Sequence, residues 1–201
     1  MLRRQILTVP NALSVLRLAC APLFVWLIFG GDDRVAAFVL LAVLGSTDWV
    51  DGWIARYFHQ GSELGKILDP TADRVLLVTA AVVLLVDGTV PPWVAGAVLA
   101  REVLVAGATL ALAAAGARRI EVQWAGKAGT LALMFALPGF LLVDLLAAGA
   151  TQDVVRALTW FCTAAGLALS YYAAATYVPV ARAALREGRD ARGATTERIP
   201  A

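Results

Sequence analysis

Charged residues are scarce in this sequence: only 16% of its 201 residues are Asp, Glu, Lys or Arg, whereas about a quarter is usual for a soluble domain. Cys20 and Cys162 are the two cysteines, and without Cys-x2-Cys or Cys/His spacing they are interpreted as small buried apolar residues. The net charge of +2 gives no strong reason to expect a nucleic-acid partner. No tandem repeat is visible, and we expect no cleavable signal peptide, because the first apolar run leads into more chain without a small-residue cleavage site.

The sequence is instead rich in apolar residues, which make up 60% of it and fall into long runs. Six runs are candidate transmembrane helices, over residues 12–30, 35–57, 69–87, 92–115, 122–147 and 154–178. Each covers most or all of a hydrocarbon core about 30 Å thick. The pattern predicts an all-α integral membrane bundle of six helices forming one domain over 1–185. A short N-terminal interfacial segment (1–9) and a polar, mobile cytoplasmic tail (186–201) complete the expected plan.

The basic residues indicate how these six spans are oriented. Most lie at one end of the predicted bundle: Arg3, Arg4, Arg56, Lys66, Arg118, Arg119, Lys127, Arg182 and the four arginines of the tail. Only Arg34 and Arg156 lie at the other end. Because basic loops stay on the inner side of a membrane, we expect a multi-pass protein of the cell membrane with both termini in the cytoplasm.

Four aspartates are the main candidates for chemistry. Asp48 and Asp51 lie near the end of the second predicted span, three residues apart, and Asp69 and Asp73 begin the third, four residues apart. Each spacing places a pair on one helix face. The short connection makes the two helices antiparallel neighbours, so we expect the pairs to converge at the cytoplasmic end, where the active site would lie.

Four converging carboxylates require compensation, because like charges at membrane depth are costly. Protonation, pairing with Arg56 and Arg74, or binding of divalent cations could each provide it, and two arginines do not neutralise four acids. Oxygen ligands, with His59 as the single histidine, suit a hard ion such as Mg²⁺ or Mn²⁺, and two such ions could clamp a pyrophosphate. A surface acid–base patch on a helix hairpin is the alternative.

Together these residues form the pattern D-x2-D-G-x2-A-R-x8-G-x3-D-x3-D over positions 48–73. The chain therefore resembles the CDP-alcohol phosphotransferase (phosphatidyltransferase) family. The resemblance implies a dimeric six-helix enzyme that displaces CMP from a CDP-linked lipid with two divalent ions. It assigns metal binding to Asp48, Asp51, Asp69 and Asp73, with Asp73 also the catalytic base. It assigns the CDP pocket to Asp51, Gly52, Ala55, Arg56 and Gly65.

The acceptor is predicted from further likenesses. Leu64–Pro70, Arg101-Glu102 and Gly126-Lys127 look most like the glycerol-acceptor branch, which includes phosphatidylglycerophosphate synthases and actinobacterial-type cardiolipin synthases. Two cations typical of the former are missing, at Thr109 and Gly129. We therefore expect CDP-diacylglycerol as the donor and phosphatidylglycerol, whose terminal glycerol is uncharged, as the acceptor. Glycerol 3-phosphate is the alternative acceptor, because Arg118 and Arg119 could supply the missing positive charge. Candidate acceptor- or lipid-binding residues are Asn11, Arg17, Lys66, Arg101, Arg118 and Lys127.

Two alternatives stay open at this point. Arg101 and Glu102 lie well inside the fourth predicted span, where a charged pair marks either a functional site or a structural ion pair between helices. Acidic residues in spans also mark ion pathways, so an ion-coupled transporter is the main rival to the enzyme. Carriers tend to have inverted repeats and broken helices near the midplane. In this sequence no repeat is visible, and the four aspartates cluster at one end of the predicted spans.

Overall fold

The protein is a bundle of long helices. The computed structural model describes the backbone of residues 9–58, 65–114 and 124–196, with side chains at 14–47, 71–108, 110 and 124–176. These residues form six α-helices and no strand: α1 (Val9–Phe29), α2 (Arg34–Phe58), α3 (Gly65–Asp87), α4 (Pro92–Ala114), α5 (Trp124–Leu145) and α6 (Ala150–Thr196). The predicted all-α class and the number of helices are confirmed.

The turns fall where glycine, aspartate and proline interrupt the apolar runs. α1 gives way to α2 through Gly30–Asp33, where Asp33 Oδ1 accepts a 2.9 Å hydrogen bond from the backbone N–H of Ala36 and so caps the start of α2. Between α3 and α4, Gly88 has a φ of 84°, a conformation that costs glycine little, and Pro92 then opens the next helix.

The core is apolar and shared by several helices. Its fully buried side chains include Phe24 of α1, Leu84 of α3, Val98 of α4 and Leu141 of α5. α1 packs extensively on α3, and α5 packs most extensively on α6. The α5–α6 contact is close because small residues face each other. A methyl group added at Gly129 would lie 2.9 Å from the Gly166 carbonyl oxygen, so helix backbones approach there as they do in membrane bundles.

Large apolar side chains also cover the outside of the bundle. Every helix exposes at least one: Trp26, Val39, Val82, Val103, Phe135 and Phe161. A soluble monomer rarely exposes so much apolar surface on all sides, whereas lipid tails accept it. The distribution therefore agrees with a bundle surrounded by lipid.

The number of membrane crossings is not confirmed as predicted. Among the described residues, two helices are long and apolar enough to cross a membrane, Trp124–Leu145 and Ala150–Thr176. Ser14–Phe29 and Arg34–Thr47 are shorter apolar stretches of α1 and α2, while α3 and α4 carry charged residues such as Asp73 and Arg101 within their length. Six helices are thus established, and six crossings are not.

The last helix is longer than the predicted sixth span. α6 begins at Ala150 and continues to Thr196, whereas the predicted span covers 154–178 and the predicted tail begins at 186. The backbone is therefore helical through most of the predicted tail, 186–201. Residues 1–8 of the predicted interfacial segment, and 197–201 of the tail, lie outside the described residues.

The end of the bundle opposite the aspartate motif is held by a polar cluster. Arg34, at the start of α2, donates hydrogen bonds of 2.7 and 2.9 Å to the two carboxylate oxygens of Asp87 at the end of α3. Its other terminal nitrogen lies 3.3 Å from Thr89 Oγ1 and 3.8 Å from a carboxylate oxygen of Asp144 on α5. The Arg34 guanidinium therefore joins α2, α3 and α5 at the end of the bundle where the α1–α2 and α3–α4 turns lie.

Candidate active site

The aspartate motif lies on two consecutive helices at one end of the bundle. Asp48 and Asp51 belong to the last three turns of α2, and Asp69 and Asp73 belong to the first three turns of α3. The six residues between α2 and α3, which include His59, lie outside the described residues. A connection this short keeps the end of α2 and the start of α3 at the same end of the bundle.

Of the four aspartates, Asp73 has a described side chain, and it forms an ion pair with Arg17 of α1. The Arg17 side chain is 4% exposed and that of Asp73 is 18% exposed, so the pair is mostly withdrawn from solvent. A buried arginine or carboxylate would be costly alone, and each supplies the charge that the other requires. α1 therefore contributes directly to the site. Asp48, Asp51 and Asp69 have side chains outside the described set.

A second polar cluster lies on the other side of α3. Glu102 of α4 forms an ion pair with its neighbour Arg101, and its Oε2 lies 4.0 Å from Nε of Arg74, the residue after Asp73. Arg101 also donates a hydrogen bond to Thr130 Oγ1 on α5, whose hydroxyl donates to the Gly126 carbonyl at 3.0 Å. The cluster thus connects α3, α4 and α5. The sequence analysis singled out Arg101 and Glu102 and considered Arg74 as a possible partner of the aspartates. It did not predict the contact of Arg74 with Glu102 or that of Arg101 with Thr130.

Beneath the motif, α2, α3 and α5 enclose a narrow apolar groove. Its lining begins at Gly45, three residues before Asp48, and at Leu76, three residues after Asp73. The other lining residues are Leu41, Leu77, Ala80, Met134, Leu137 and Pro138. Because α2 and α3 border one groove just below the motif, the predicted convergence of the two acidic pairs is compatible with how these helices are placed.

Most of the other predicted site residues lie on α1, α2 and α3, with side chains outside the described set. Gly52, Ala55 and Arg56 lie on α2, Gly65 and Lys66 open α3, and Asn11 lies on α1, all with side chains outside the described set. Thr109 lies on α4 with its side chain likewise outside that set, and Arg118 lies outside the described residues altogether. Lys127 is exposed in the first turn of α5, one turn before Thr130.

The residue types of the motif fit a divalent cation. Carboxylate oxygens are the donors that Mg²⁺ and Mn²⁺ prefer, and the motif contains no softer ligand. The described side chains include no group of three or more metal-ligating residues, and three of the four aspartates are not among those side chains. Asp73, the member that is described, is mostly buried and paired with the guanidinium of Arg17.

Comparison with known proteins extends the sequence likeness. Residues 7–172 match the family model described as CDP-alcohol phosphatidyltransferase. A Streptomyces coelicolor relative, cardiolipin synthase (CMP-forming), is 36% identical over 187 residues, 90% of this chain and 86% of the relative. A Mycobacterium tuberculosis relative whose name includes the words cardiolipin synthase is 39% identical over 140 residues, 70% of this chain and 67% of the relative. CDP-diacylglycerol–glycerol-3-phosphate 3-phosphatidyltransferase of Bacillus subtilis is 31% identical over 150 residues, 68% of this chain and 77% of the relative.

Proposed function

The chain belongs to the CDP-alcohol phosphatidyltransferase family, and from this membership we propose that it transfers a phosphatidyl group from CDP-diacylglycerol to phosphatidylglycerol, forming cardiolipin and CMP. The enzyme class and the role in phospholipid biosynthesis follow from the family and its relatives. Membership also decides between the enzyme and the transporter in favour of the enzyme. The observation that carries the proposal is the complete aspartate motif, placed on α2 and α3 inside the matched region.

The choice of phosphatidylglycerol as acceptor rests on two observations. The Streptomyces coelicolor relative, of which this chain covers 86%, is named cardiolipin synthase (CMP-forming). The sequence also has Thr109 and Gly129 at two positions where glycerol-3-phosphate enzymes tend to have cations. A phosphate monoester carries nearly two negative charges and calls for several basic groups, whereas a phosphodiester carries one. The Bacillus subtilis relative makes glycerol 3-phosphate the second candidate acceptor.

In the proposed reaction, a terminal hydroxyl of the acceptor glycerol attacks the phosphorus atom that carries the diacylglycerol. A new P–O bond forms there, the bond to the CMP oxygen breaks, and CMP leaves as the anion. Asp73 takes the proton of the attacking hydroxyl as general base. Arg17 is the residue that fixes Asp73, since its ion pair holds the carboxylate in one orientation inside the bundle.

The family is generally dependent on divalent metal, and we assign the metal ligands to Asp48, Asp51, Asp69 and Asp73, with Mg²⁺ or Mn²⁺ as the ions. When bound, such cations polarise the phosphate and stabilise the negative charge that develops on departing CMP. Two ions are proposed because a pair of divalent cations could clamp the pyrophosphate of the donor.

The donor nucleotide is proposed to lie along the end of α2 and the start of α3. Gly52, Ala55 and Gly65 present small surfaces that let a ligand approach the backbone, and Arg56 is suited to a phosphate. Asp51 would lie next to the nucleotide as well as the metal. Placed at the end of the bundle richest in arginine and lysine, this site would face the cytoplasm, where CMP is released.

The family is embedded in the membrane. We further propose that all six helices cross the bilayer, with both termini on the cytoplasmic side of the cell membrane, and that the enzyme is a homodimer. Three of the charged residues within α3 and α4 would then face the interior of the bundle, namely Asp73, Arg101 and Glu102.

The test uses purified full-length protein in mixed micelles with CDP-diacylglycerol and Mg²⁺. CMP release is measured with phosphatidylglycerol and, in parallel, with glycerol 3-phosphate. We expect CMP and cardiolipin with phosphatidylglycerol. CMP formed only with glycerol 3-phosphate would transfer the proposal to the second acceptor, and no CMP with either would reject both.

A further inference from the structure

The two carboxylate oxygens of Glu102 are divided between two arginines. Oε1 forms an ion pair with Arg101 on the same helix, and Oε2 lies 4.0 Å from Nε of Arg74 on α3. Glu102 is 7% exposed and the only acid of the described residues to which Arg74 is joined by an ion pair. The buried Glu102 carboxylate thus lies between two guanidiniums, one on each side, and attracts both.

The two arginines differ sharply in exposure. The Arg101 side chain is 5% exposed and donates a hydrogen bond to Thr130 of α5, so its guanidinium is committed to a buried link between α4 and α5. The Arg74 side chain is 40% exposed. An arginine so exposed in a membrane-embedded bundle must face water, a headgroup or a bound anion, since lipid tails cannot solvate it. Arg74 is therefore the member of this cluster that can reach a ligand.

The position of Arg74 indicates which ligand this is. Arg74 follows the proposed base Asp73, which must reach the acceptor hydroxyl, and it lies on the side of α3 that contacts α4. The residues assigned to the donor nucleotide lie on α2 and at the start of α3. The cluster of Arg74, Arg101 and Glu102 has a net charge of +1, from two cations and one anion. That charge matches the single negative charge of a phosphodiester.

We propose that Arg74 binds the phosphate group of the acceptor beside Asp73, and that Glu102 is a positioning residue that holds Arg74 in place for it. Arg101, by contrast, supports helix packing and does not contact the acceptor. This inference rests on the proposed phosphatidyl transfer, and it deepens that proposal by naming the groups that recognise the acceptor. The ligand chemistry is a phosphate next to a glycerol hydroxyl, whether it comes from phosphatidylglycerol or from glycerol 3-phosphate.

The test compares Arg74→Met, Arg74→Lys, Glu102→Gln and Arg101→Met in the CMP-release assay, with each acceptor varied in turn at saturating CDP-diacylglycerol. Loss of one charge-assisted contact predicts a rise in the acceptor KM of about tenfold for Arg74→Met, with kcat changed about twofold or less. Arg74→Lys should recover part of this loss. Glu102→Gln should raise the same KM by a smaller factor, because Arg74 remains but is no longer held.

Arg101→Met should behave differently, by lowering the thermal unfolding temperature in detergent without changing the acceptor KM selectively. Arg156→Met, which removes an exposed arginine of α6 far from the motif, is the matched control and should change neither quantity. The acceptor that shows the Arg74 effect identifies the source of the phosphate.

An unchanged acceptor KM in Arg74→Met, with both acceptors tested, would overturn the inference. So would a lower unfolding temperature in Arg74→Met without any change in KM, because Arg74 would then serve packing alone. If Arg74→Met does not fold, Arg74→Lys and Glu102→Gln decide the question by the same KM comparison. Absence of CMP release from the unsubstituted enzyme would instead reject the proposed function, so the two failures are distinguishable.

Discussion

Arg17 of α1 and Asp73 of α3 form an ion pair inside the bundle, although 56 residues separate them in the chain. The pair connects the first helix to the last aspartate of the motif. α1 is therefore a part of the site, and its extensive packing against α3 keeps the charged groups together. Since both side chains are mostly buried, removing either one leaves the charge of the other less well compensated.

Arg17→Met is expected to lower both stability and activity. Removing one partner of a buried ion pair costs about 3–5 kcal/mol, because the remaining charge stays buried. The free energy or temperature of unfolding in detergent measures the first effect. The kcat for CMP release should fall at least about tenfold, because Asp73 loses the contact that orients it. Arg17→Lys should retain part of the stability and part of the activity, because it keeps the positive charge but loses the geometry of the guanidinium group.

Arg34→Met provides the control. It breaks another arginine–aspartate pair, between Arg34 of α2 and Asp87 of α3, at the end of the bundle far from the motif. The Arg34 side chain is 35% exposed and Asp87 is 11% exposed. Because Arg34 is more accessible to solvent than Arg17, we expect a smaller loss of stability, of about 1–3 kcal/mol. Its kcat should stay unchanged. If Arg34→Met and Arg17→Met reduced kcat equally, the loss would reflect general destabilisation and the positioning role of Arg17 would be wrong.

Asp73→Asn is expected to fold and to lose turnover. The amide keeps the size of the carboxyl group and can still accept a hydrogen bond from Arg17, but it cannot accept a proton as a base. CMP release should fall by about a hundredfold or more. Asp153→Asn, at an exposed position on α6, should have full activity. Comparable turnover in Asp73→Asn and the unsubstituted enzyme would remove Asp73 from the role of general base.

Gly129→Ala should destabilise the α5–α6 contact. Its added methyl group would lie 2.9 Å from the Gly166 carbonyl oxygen, closer than the two atoms can approach, so the helices must separate at a cost of about 1–3 kcal/mol. A lower unfolding temperature in detergent would confirm this. Gly96→Ala is matched to it, because a methyl group there meets nothing within 4 Å. Equal effects of the two substitutions would contradict the close packing.

The helices could be predicted from the sequence because long apolar runs and their interruptions are local features. The predicted second span, 35–57, is one residue shorter than α2 at each end. The predicted fourth span, 92–115, begins at the same residue as α4 and ends one residue later. The end of α6 was harder to predict. Helical hydrogen bonds can continue after the apolar residues stop, so the sequence pattern located the end of the apolar stretch rather than the end of the helix at Thr196.

The partners of the charged residues could not be predicted in the same way. Spacing places Asp69 and Asp73 on one face of α3, but it does not reveal that Arg17 lies against Asp73, because that contact depends on how α1 packs on α3. The sequence left open whether Arg101 and Glu102 form an ion pair between helices. The pair lies within α4, and its links to other helices run through Thr130 and Arg74. A charged residue in an apolar helix signals that a partner exists and does not identify it.

Sharing of divalent cations between α2 and α3 is the central claim, and binding of Mn²⁺ to the purified protein tests it most directly. Electron paramagnetic resonance of free Mn²⁺ gives the number of ions bound by the unsubstituted protein, by Asp48→Asn and by Asp69→Asn. We expect two ions per chain, displaced by Mg²⁺, and weaker binding by about tenfold or more when either helix loses one carboxylate. Binding that is unchanged in both variants, or absent from the unsubstituted protein, would contradict the account.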